Sequence, residues 1–425
     1  MTRLALSLVA LLLTAACAVN PVTGQRELSF FDESWELQVG RENYQPLRQS
    51  QGGDFVLDAE LVAFVQDVNQ RVAAHADRQL PYEIHIINSS VPNAWALPGG
   101  KMAINRGLLT EMNSEAELAA VLGHEIVHAA AGHSAQAQSR GALLQGAVIL
   151  GGVAIGVATD REDYATVAML SGLVGAQLIS QRFSRRAELE ADRFGMIYMH
   201  RAGYNPQGAV ELQESFVRLS EGRDSGFLAG LFASHPPSRE RVAANQRTAD
   251  ELGRDGITGR ERYQQMIARL KSLEPAYEAH DEGRRALRNG DFQTALAKAE
   301  TAIALEDSEA IFHALKGDAL ASSGNLAAAD LAYTAALQRD SGWFYQHLRR
   351  GMVREQLGNH SGARSDLEAS IERLPTAQGH FYLANVERAS GNRQRAIEHY
   401  RIAAQSSDET GQRARRALSE MGVNN

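Results

Sequence analysis

The sequence predicts an α+β domain, mostly helical with a small β-sheet, followed by an all-α superhelix built from repeats. A Ser-Glu-Ala-Glu capping box at 114–117 opens a run of apolar residues at helical spacing. Two runs, 82–88 and 101–105, are rich in strand-forming residues, and a Pro-Gly-Gly turn precedes the second. From residue 290 onward, Gly-Asp or Gly-Asn recurs at intervals of 34, 34 and 33 residues.

Residues 1–17 have the pattern of a signal peptide. A basic start precedes an apolar core, Leu4 to Leu13, which is too short to span a membrane, and small residues lead to Cys17. This pattern predicts that the mature chain works outside the cytoplasm. Cys17 is the sole cysteine and lies where lipoprotein signal peptides are cut, which predicts a lipid anchor and excludes an internal disulfide. Two features also suit ordinary signal-peptide cleavage without lipidation. Thr14 stands where Leu is more usual in lipoproteins, and Ala16-Cys17-Ala18 is a stretch of small residues.

The charge balance excludes one class of partner. The chain has 43 Lys and Arg against 51 Asp and Glu, a formal net charge of −8. Nucleic-acid binding needs basic patches, so no nucleic-acid partner is expected.

An H-E-x-x-H motif, His124 to His128, is the strongest chemical signal in the chain. Two imidazoles four residues apart share one helical face, and Glu125 lies beside that face, where a carboxylate can take a proton from a water molecule. A catalytic zinc ion needs a third protein ligand. His133 lies about 140° around the helix from His128 and cannot share the metal if the helix continues, so it is interpreted as a helix-end residue. Ser134, six residues after His128, excludes the metzincin pattern.

The third ligand is expected downstream. Glu188 and Asp192 are four residues apart and share a helical face, so one carboxylate could bind zinc while the other orients an imidazole. Glu190 is expected to point elsewhere. The alternative is a solvated helix whose carboxylates pair with nearby arginines, namely Arg185, Arg186 and Arg193.

With these motifs the chain resembles the M48 family of zinc peptidases, whose pattern is H-E-x-x-H followed by E-x-x-A-D. Residues 93–109 and His235-Pro236 with Arg241 resemble two further elements of that family. The resemblance implies a zincin-type metallopeptidase domain over residues 18–250.

The resemblance also implies the roles of the site residues. One Zn²⁺ would be held by His124, His128 and Glu188, with Glu125 as general base and Asp192 orienting a ligand. Residues 93–109 would supply an edge strand that receives an extended substrate, and the alternative is an ordinary hairpin without substrate contact.

His235 has three possible roles. The resemblance implies that it can occupy the fourth zinc position and hold the enzyme latent. It could instead stabilise the oxyanion formed when water attacks a peptide carbonyl. The third possibility is that His235-Pro236-Pro237 is only a loop before a new helix.

The second half resembles the tetratricopeptide repeat, because 34 residues is the period of that helix-turn-helix unit. We expect a connecting helix over 251–274 and, over 275–421, about four units closed by a polar helix. Such a superhelix usually binds protein segments.

Two apolar runs, Gly141 to Ala158 and Ala165 to Ile179, allow two interpretations. They could form a hairpin that dips into a membrane, or helices packed over the cleft. Their Gly and Ala content and the glutamines Gln145 and Gln177 favour the packed helices.

Together these observations predict a zinc-dependent endopeptidase of the bacterial envelope, located in the periplasm and anchored to the outer membrane. The resemblance implies misfolded or stalled outer-membrane proteins as substrates, and the outer-membrane barrel assembly machinery as a possible partner of the repeats. The alternative is a periplasmic chaperone or assembly scaffold with a latent zinc site.

Overall fold

The structure is a computed structural model that describes residues 17–144, 182–222 and 234–423. The chain divides into two compact units. The described part of the first unit is 17–44, 58–144, 182–222 and 234–268, and that of the second is 45–57 and 269–423. Both are mainly helical, and the first holds the described β-sheets, which confirms the predicted fold class.

The first unit contains two small sheets and a set of helices. Its elements are β1 (Cys17–Val19), β2 (Arg26–Leu28), α1 (Glu33–Ser50, which runs on into the second unit), α2 (Ala59–Ala73), β3 (Glu83–Ile87), β4 (Ala94–Leu97), β5 (Lys101–Asn105), α3 (Arg106–Leu109), α4 (Glu115–Ala130), α5 (His133–Leu144), α6 (Arg185–Arg201), α7 (Gln207–Gly222), α8 (Arg239–Leu252) and α9 (Arg260–Met266).

The larger sheet has the strand order β3-β5-β4. β5 is central, parallel to β3 and antiparallel to β4. Runs 82–88 and 101–105 do not form a hairpin with each other, because β3 and β5 are parallel, and the hairpin is formed by β4 and β5. Its contact with a substrate stays a prediction. β4 was missed because it has only four residues. Among the described strands only β5 pairs with β4, so β4 is an edge strand.

The predicted Ser114 N-cap forms and fixes the start of α4, but Glu117 reaches the backbone of Asn113 rather than that of Ser114. The Ser114 side chain accepts a hydrogen bond from the Glu117 N–H (3.2 Å), and Glu117 Oε2 accepts one from the Asn113 N–H (2.9 Å). Every residue of α4 is buried. This helix therefore runs through the core of the unit and carries the H-E-x-x-H motif with it.

α4 and α6 cross at a pair of glycines. A Cβ atom added to Gly123 would lie 2.7 Å from the Gly195 carbonyl oxygen, and one added to Gly195 would lie 2.8 Å from the His124 nitrogen. Backbone approach this close requires glycine in both helices. The crossing brings the imidazoles of α4 opposite the carboxylates of α6.

The second unit consists of paired helices. They are α10 (Ala268–Ser272, which begins in the first unit), α11 (Glu274–Arg288), α12 (Phe292–Leu305), α13 (Ala310–Ser322), α14 (Leu326–Arg339), α15 (Phe344–Gln356), α16 (His360–Arg373), α17 (Ala377–Ala389), α18 (Arg393–Ala403) and α19 (Glu409–Glu420). α11 to α18 form the four predicted helix pairs, and α19 follows them as the closing helix.

Two predicted boundaries need correction. The connecting helix over 251–274 is instead the end of α8, a loop and the short helices α9 and α10, because Gly253, Gly256 and Gly259 adopt positive φ angles that interrupt a helix. Residues 45–57 belong to the second unit rather than the first. There the Trp343 indole N–H donates to the Gln49 carbonyl (2.9 Å).

The period of the repeats is visible in their hydrogen bonds. His313 Nε2 lies 2.9 Å from the Asp307 carbonyl, six residues earlier, and His347 Nε2 lies 3.1 Å from the Ser341 carbonyl. Each carbonyl also accepts from the guanidinium of an arginine in the next helix pair: Arg339 for the first and Arg373 for the second. A histidine and an arginine therefore contact the equivalent loop carbonyl in two successive repeats.

His380, the equivalent residue of the fourth repeat, has a different partner. Its Nδ1 lies 3.0 Å from His399 Nδ1, and the residue is buried. Burial, with a smaller contribution from His399, lowers the pKa of His380 to about 3.

Several expectations concern residues outside the described ranges. The signal peptide before Cys17 and nearly all of the two apolar runs in 141–179 lie there. Among the helices of the described ranges, none is long and apolar enough to cross a membrane.

We predict that acid destabilises the fourth repeat. An unfolded histidine takes up a proton near pH 6.5, whereas His380, with a pKa of about 3, does not. Its contribution to the free energy of unfolding is full above pH 6.5 and is lost as the pH falls toward 3, at about 1.4 kcal/mol per pH unit. Urea unfolding at pH 7 and pH 5 should show a loss approaching about 2 kcal/mol.

His380→Phe should lack this part of the loss, because no proton is then taken up on unfolding. His360→Gln, a change at a partly exposed histidine of the third repeat, is the control and should behave as the wild type. Equal pH dependence of wild type and His380→Phe would contradict the prediction.

Candidate metal centre

Three segments of the first unit supply the site. α4 carries His124, Glu125 and His128, and α6 carries Glu188 and Asp192. His235 lies just before α8. Serine N-caps start both later helices: Ser184 accepts from the Ala187 N–H (3.2 Å) and Ser238 from the Arg241 N–H (3.1 Å).

Four side chains bring one possible ligand atom each to a common point: His124, His128, Glu188 and His235. His124 Nε2 lies 3.0 Å from His128 Nε2 and 3.2 Å from His235 Nδ1. Glu188 Oε1 lies 3.0 Å from His235 Nδ1 and 3.4 Å from His128 Nε2. Nitrogen and oxygen ligands at roughly 2.1 Å around a tetrahedral zinc ion are separated by roughly 3.4 Å. The spacing and the donor types therefore fit zinc.

The charges of the site also fit a divalent cation. Glu125, Glu188 and Asp192 are buried carboxylates, and Arg241 is the buried cation beside them. Glu188 Oε2 accepts no hydrogen bond within the described ranges, although Arg241 Nη1 lies 2.9 Å away as an ion-pair partner outside hydrogen-bond alignment. Three carboxylates and one guanidinium have a formal charge of −2, which a divalent cation balances.

Asp192 supports His124 from the side away from the other ligands. Its Oδ1 lies 2.9 Å from His124 Nδ1, and Arg241 donates to both of its oxygens, at 2.7 and 2.6 Å. Burial raises the pKa of Asp192, but the guanidinium outweighs it and holds the pKa below its usual value. The aspartate is therefore a charged acceptor that can fix the tautomer of His124.

Arg241 has a role that the sequence analysis did not assign. It was noted only as part of the segment after His235, and the structure pairs it with Asp192 and Glu188. The predicted alternative for the downstream helix is also wrong, because its arginines pair elsewhere. Arg185 contacts Glu240, Arg186 contacts Glu27 and Arg193 contacts Glu251.

Glu125 and His235 face each other across the site. Both are buried, and His235 Nε2 lies 3.6 Å from Glu125 Oε1. Burial lowers the pKa of His235, but the carboxylates of Glu188 and Glu125 outweigh it and raise the pKa above its usual value. His235 thus lies between Glu188, the expected third ligand, and Glu125, the expected base.

His133 lies at a helix end, as expected, and is not among the four clustered ligand residues, but it contacts one of them, His128. α4 ends at Ala130, Gly132 turns the chain with φ +68°, and His133 begins α5. The angle of about 140° assumed one continuous helix and does not apply. His133 Nδ1 lies 2.9 Å from His128 Nδ1. Glu190, expected to point elsewhere, lies 3.3 Å from His133 Nε2.

A cleft opens beside His124 and Glu125. Its walls are mostly apolar, with Leu108, Val121, Met196, Leu212 and Phe216 among them. Such a space can receive an apolar side chain next to the base.

We predict that zinc binds at about one ion per chain and that single ligand replacements release it. Elemental analysis of His124→Ala and Glu188→Ala should show loss of metal, because each change removes one of the three assigned protein ligands that a catalytic zinc site normally requires. His75→Ala, at an exposed histidine of the same unit, should keep the wild-type zinc content. Full zinc content in both ligand variants would contradict the ligand assignment.

Comparison with known proteins agrees with this geometry. Residues 59–249 match the family described as Peptidase family M48, and residues 280–342 and 348–410 match the tetratricopeptide repeat. The chain is 30% identical over 226 residues to the mitochondrial metalloendopeptidase OMA1 of Schizosaccharomyces pombe, covering 52% of this chain and 63% of the relative.

Two relatives come from Escherichia coli. The chain is 29% identical over 219 residues to the beta-barrel assembly-enhancing protease, covering 51% of this chain and 44% of the relative. It is 33% identical over 165 residues to the metalloprotease LoiP, covering 39% and 60%. The matches to all three relatives span less than two thirds of the relative's own length.

Proposed function

We propose that this protein, whose residues 59–249 belong to peptidase family M48 and precede tetratricopeptide repeats, is a zinc-dependent endopeptidase. The observation that carries the proposal is the convergence of His124, His128 and Glu188 beside the buried Glu125. When bound, zinc would supply Lewis acidity that polarises a peptide carbonyl and makes water easier to deprotonate.

The side chains would divide the remaining work. Glu125 takes a proton from the attacking water and passes it to the leaving amine. Asp192 keeps the proton of His124 on Nδ1, so that Nε2 is free to bind the metal. The open side of β4 would bind the substrate backbone as an added strand, which suits unfolded chains because main-chain hydrogen bonds need little sequence preference. The apolar cavity would favour an apolar residue next to the cleaved bond.

In this proposal His235 is a latch. The distances of 3.2 and 3.0 Å from its Nδ1 to His124 Nε2 and Glu188 Oε1 support a fourth zinc ligand. A four-coordinate closed site leaves no position for the attacking water. The same contacts favour a second candidate function, a scaffold that acts through its repeats while the zinc site stays closed.

The location and substrates follow the same proposal. The signal-peptide pattern before Cys17 supports a lipid-anchored protein of the periplasm at the outer membrane. The likeness to the beta-barrel assembly-enhancing protease supports misfolded or stalled outer-membrane proteins as substrates, and the barrel assembly machinery as a partner of the repeats.

We predict that Glu125→Gln keeps zinc and loses cleavage of casein by at least about 100-fold, the usual scale for losing a general base. The amide retains the shape of the side chain but cannot accept the proton. Zinc content and casein cleavage should be measured on the same preparation. Glu60→Gln, at an exposed position, is the control and should cleave at the wild-type rate. Wild-type cleavage by Glu125→Gln would refute the hydrolytic mechanism.

We predict that His235→Ala retains zinc and cleaves casein faster than the wild type, because the competing ligand is removed. A loss of roughly 100-fold would indicate instead that His235 stabilises the oxyanion. Unchanged activity would contradict both roles. His75→Ala serves again as the control for replacing a histidine.

A further inference from the structure

A chain of buried polar side chains leads away from His128. Its Nε2 faces His124 and Glu188, while its Nδ1 lies 2.9 Å from His133 Nδ1. His133 Nε2 lies 3.3 Å from Glu190 Oε1. The same carboxylate oxygen accepts a hydrogen bond from Asn20 Nδ2 (2.8 Å). His128, His133 and Asn20 are 2–3% exposed, so water does not compete for these contacts.

The order of donors and acceptors in this chain is determined by its ends. If His128 Nε2 binds a metal, its Nδ1 carries the proton and donates to His133 Nδ1. His133 must then carry its own proton on Nε2, where Glu190 accepts it. Every donor meets an acceptor, and the last acceptor is a carboxylate that also receives the Asn20 amide.

The two histidines of the H-E-x-x-H motif are thus supported by different groups. His124 contacts the carboxylate of Asp192 directly (2.9 Å), and Arg241 holds that carboxylate. His128 reaches its carboxylate, Glu190, only through His133. The imidazole of His133 therefore connects His128 to the carboxylate of Glu190.

Asn20 is fixed by the turn between β1 and β2. Its Oδ1 accepts from the N–H groups of Val22 (2.9 Å) and Thr23 (3.3 Å), so its amide group has one orientation available. A second link between the hairpin and α6 joins Glu27 to Arg186 (2.9 Å), and Glu27 touches the His128 chain through a longer contact with Asn20 Nδ2 (3.5 Å). The hairpin is therefore attached to α6 at two points.

We propose that His133 and Glu190 are positioning residues that fix the tautomer and ring orientation of His128, and that Asn20 makes the hairpin over residues 17–28 part of the metal centre. The proposal rests on the zinc site of the proposed function. In this proposal the segment that follows Cys17, the predicted lipidation position, directly affects zinc affinity. Orienting groups of this kind typically contribute 10- to 100-fold in metal affinity.

The test is the dissociation constant of zinc, measured on the full chain by competition with a chromophoric chelator. His133→Phe keeps a ring and removes both nitrogen atoms, so it should weaken zinc binding about 10- to 100-fold. His133→Gln can accept from His128 and donate to Glu190 and should restore most of the affinity. Glu190→Ala should weaken binding to a similar degree as His133→Phe, and Asn20→Ala should do so less.

Arg186→Gln is the matched control. It breaks the second link of the hairpin and keeps every hydrogen bond from His128 to Asn20, so zinc affinity should stay close to the wild-type value, with only the charge of Arg186 near Glu190 removed. The visible spectrum of the cobalt-substituted protein gives a second readout. It should change in His133→Phe, because the His128 ring is freed to reorient, and not in Arg186→Gln.

Wild-type zinc affinity and an unchanged cobalt spectrum in His133→Phe would overturn the proposal. Equal losses of zinc affinity in His133→Phe and Arg186→Gln would also overturn it, because the hairpin would then affect zinc binding only by stabilising the fold. If His133→Phe does not fold, judged by circular dichroism, the comparison of Glu190→Gln with His133→Gln decides. Glu190→Gln should lose affinity severalfold and His133→Gln should not. Failure of the wild type to bind zinc would instead refute the proposed function itself.

Discussion

The close crossing of α4 and α6 is the constraint on which the site depends. At this point the backbones approach until a Cβ on Gly123 or Gly195 would lie 2.7 to 2.8 Å from the other helix. His124 is the next residue after Gly123, and Asp192 lies one turn before Gly195. The separation between imidazoles and carboxylates is therefore set by backbone contact, which is stiffer than side-chain packing. The histidine ligands and Glu188, which are 60 and 64 residues apart in the sequence, meet for this reason.

Buried charge explains why the same cluster can hold both a metal and His235. Glu125 and Glu188 are buried and both face the space between α4 and α8. Two carboxylates in such surroundings favour any cation or hydrogen-bond donor that reaches them. The His235 imidazole lies within 3.0 Å of one and 3.6 Å of the other. The same buried carboxylates would then favour both the divalent cation and the position of His235 beside it.

The repeats are held together in a different way. Side chains of one helix pair contact a backbone carbonyl in the loop that joins it to the preceding pair. His313 and His347 occupy equivalent positions, and each is aligned on the carbonyl six residues earlier. In the fourth repeat the equivalent histidine, His380, contacts His399 instead. The arginines that share the first two carbonyls, Arg339 and Arg373, are the last residues of the second helix of their own repeats, whereas the second helix of the fourth repeat, α18, ends at Ala403. The array therefore ends with a different and more acid-sensitive contact.

Local periodicity alone determined the helical face of the H-E-x-x-H motif, the pairing of Glu188 with Asp192 on one face, and the 34-residue repeat. A helix converts spacing into direction, so these features can be read without knowing any tertiary contact. Tertiary structure decided the partners. Only the fold places β4 at the edge of the sheet and pairs Arg241 with Asp192. The contact of His133 with His128 was not predicted, because Gly132, with φ +68°, separates the two helices that carry them. Spacing predicts direction only as far as the helix continues, and the contacts that lie beyond a turn depend on which elements pack together.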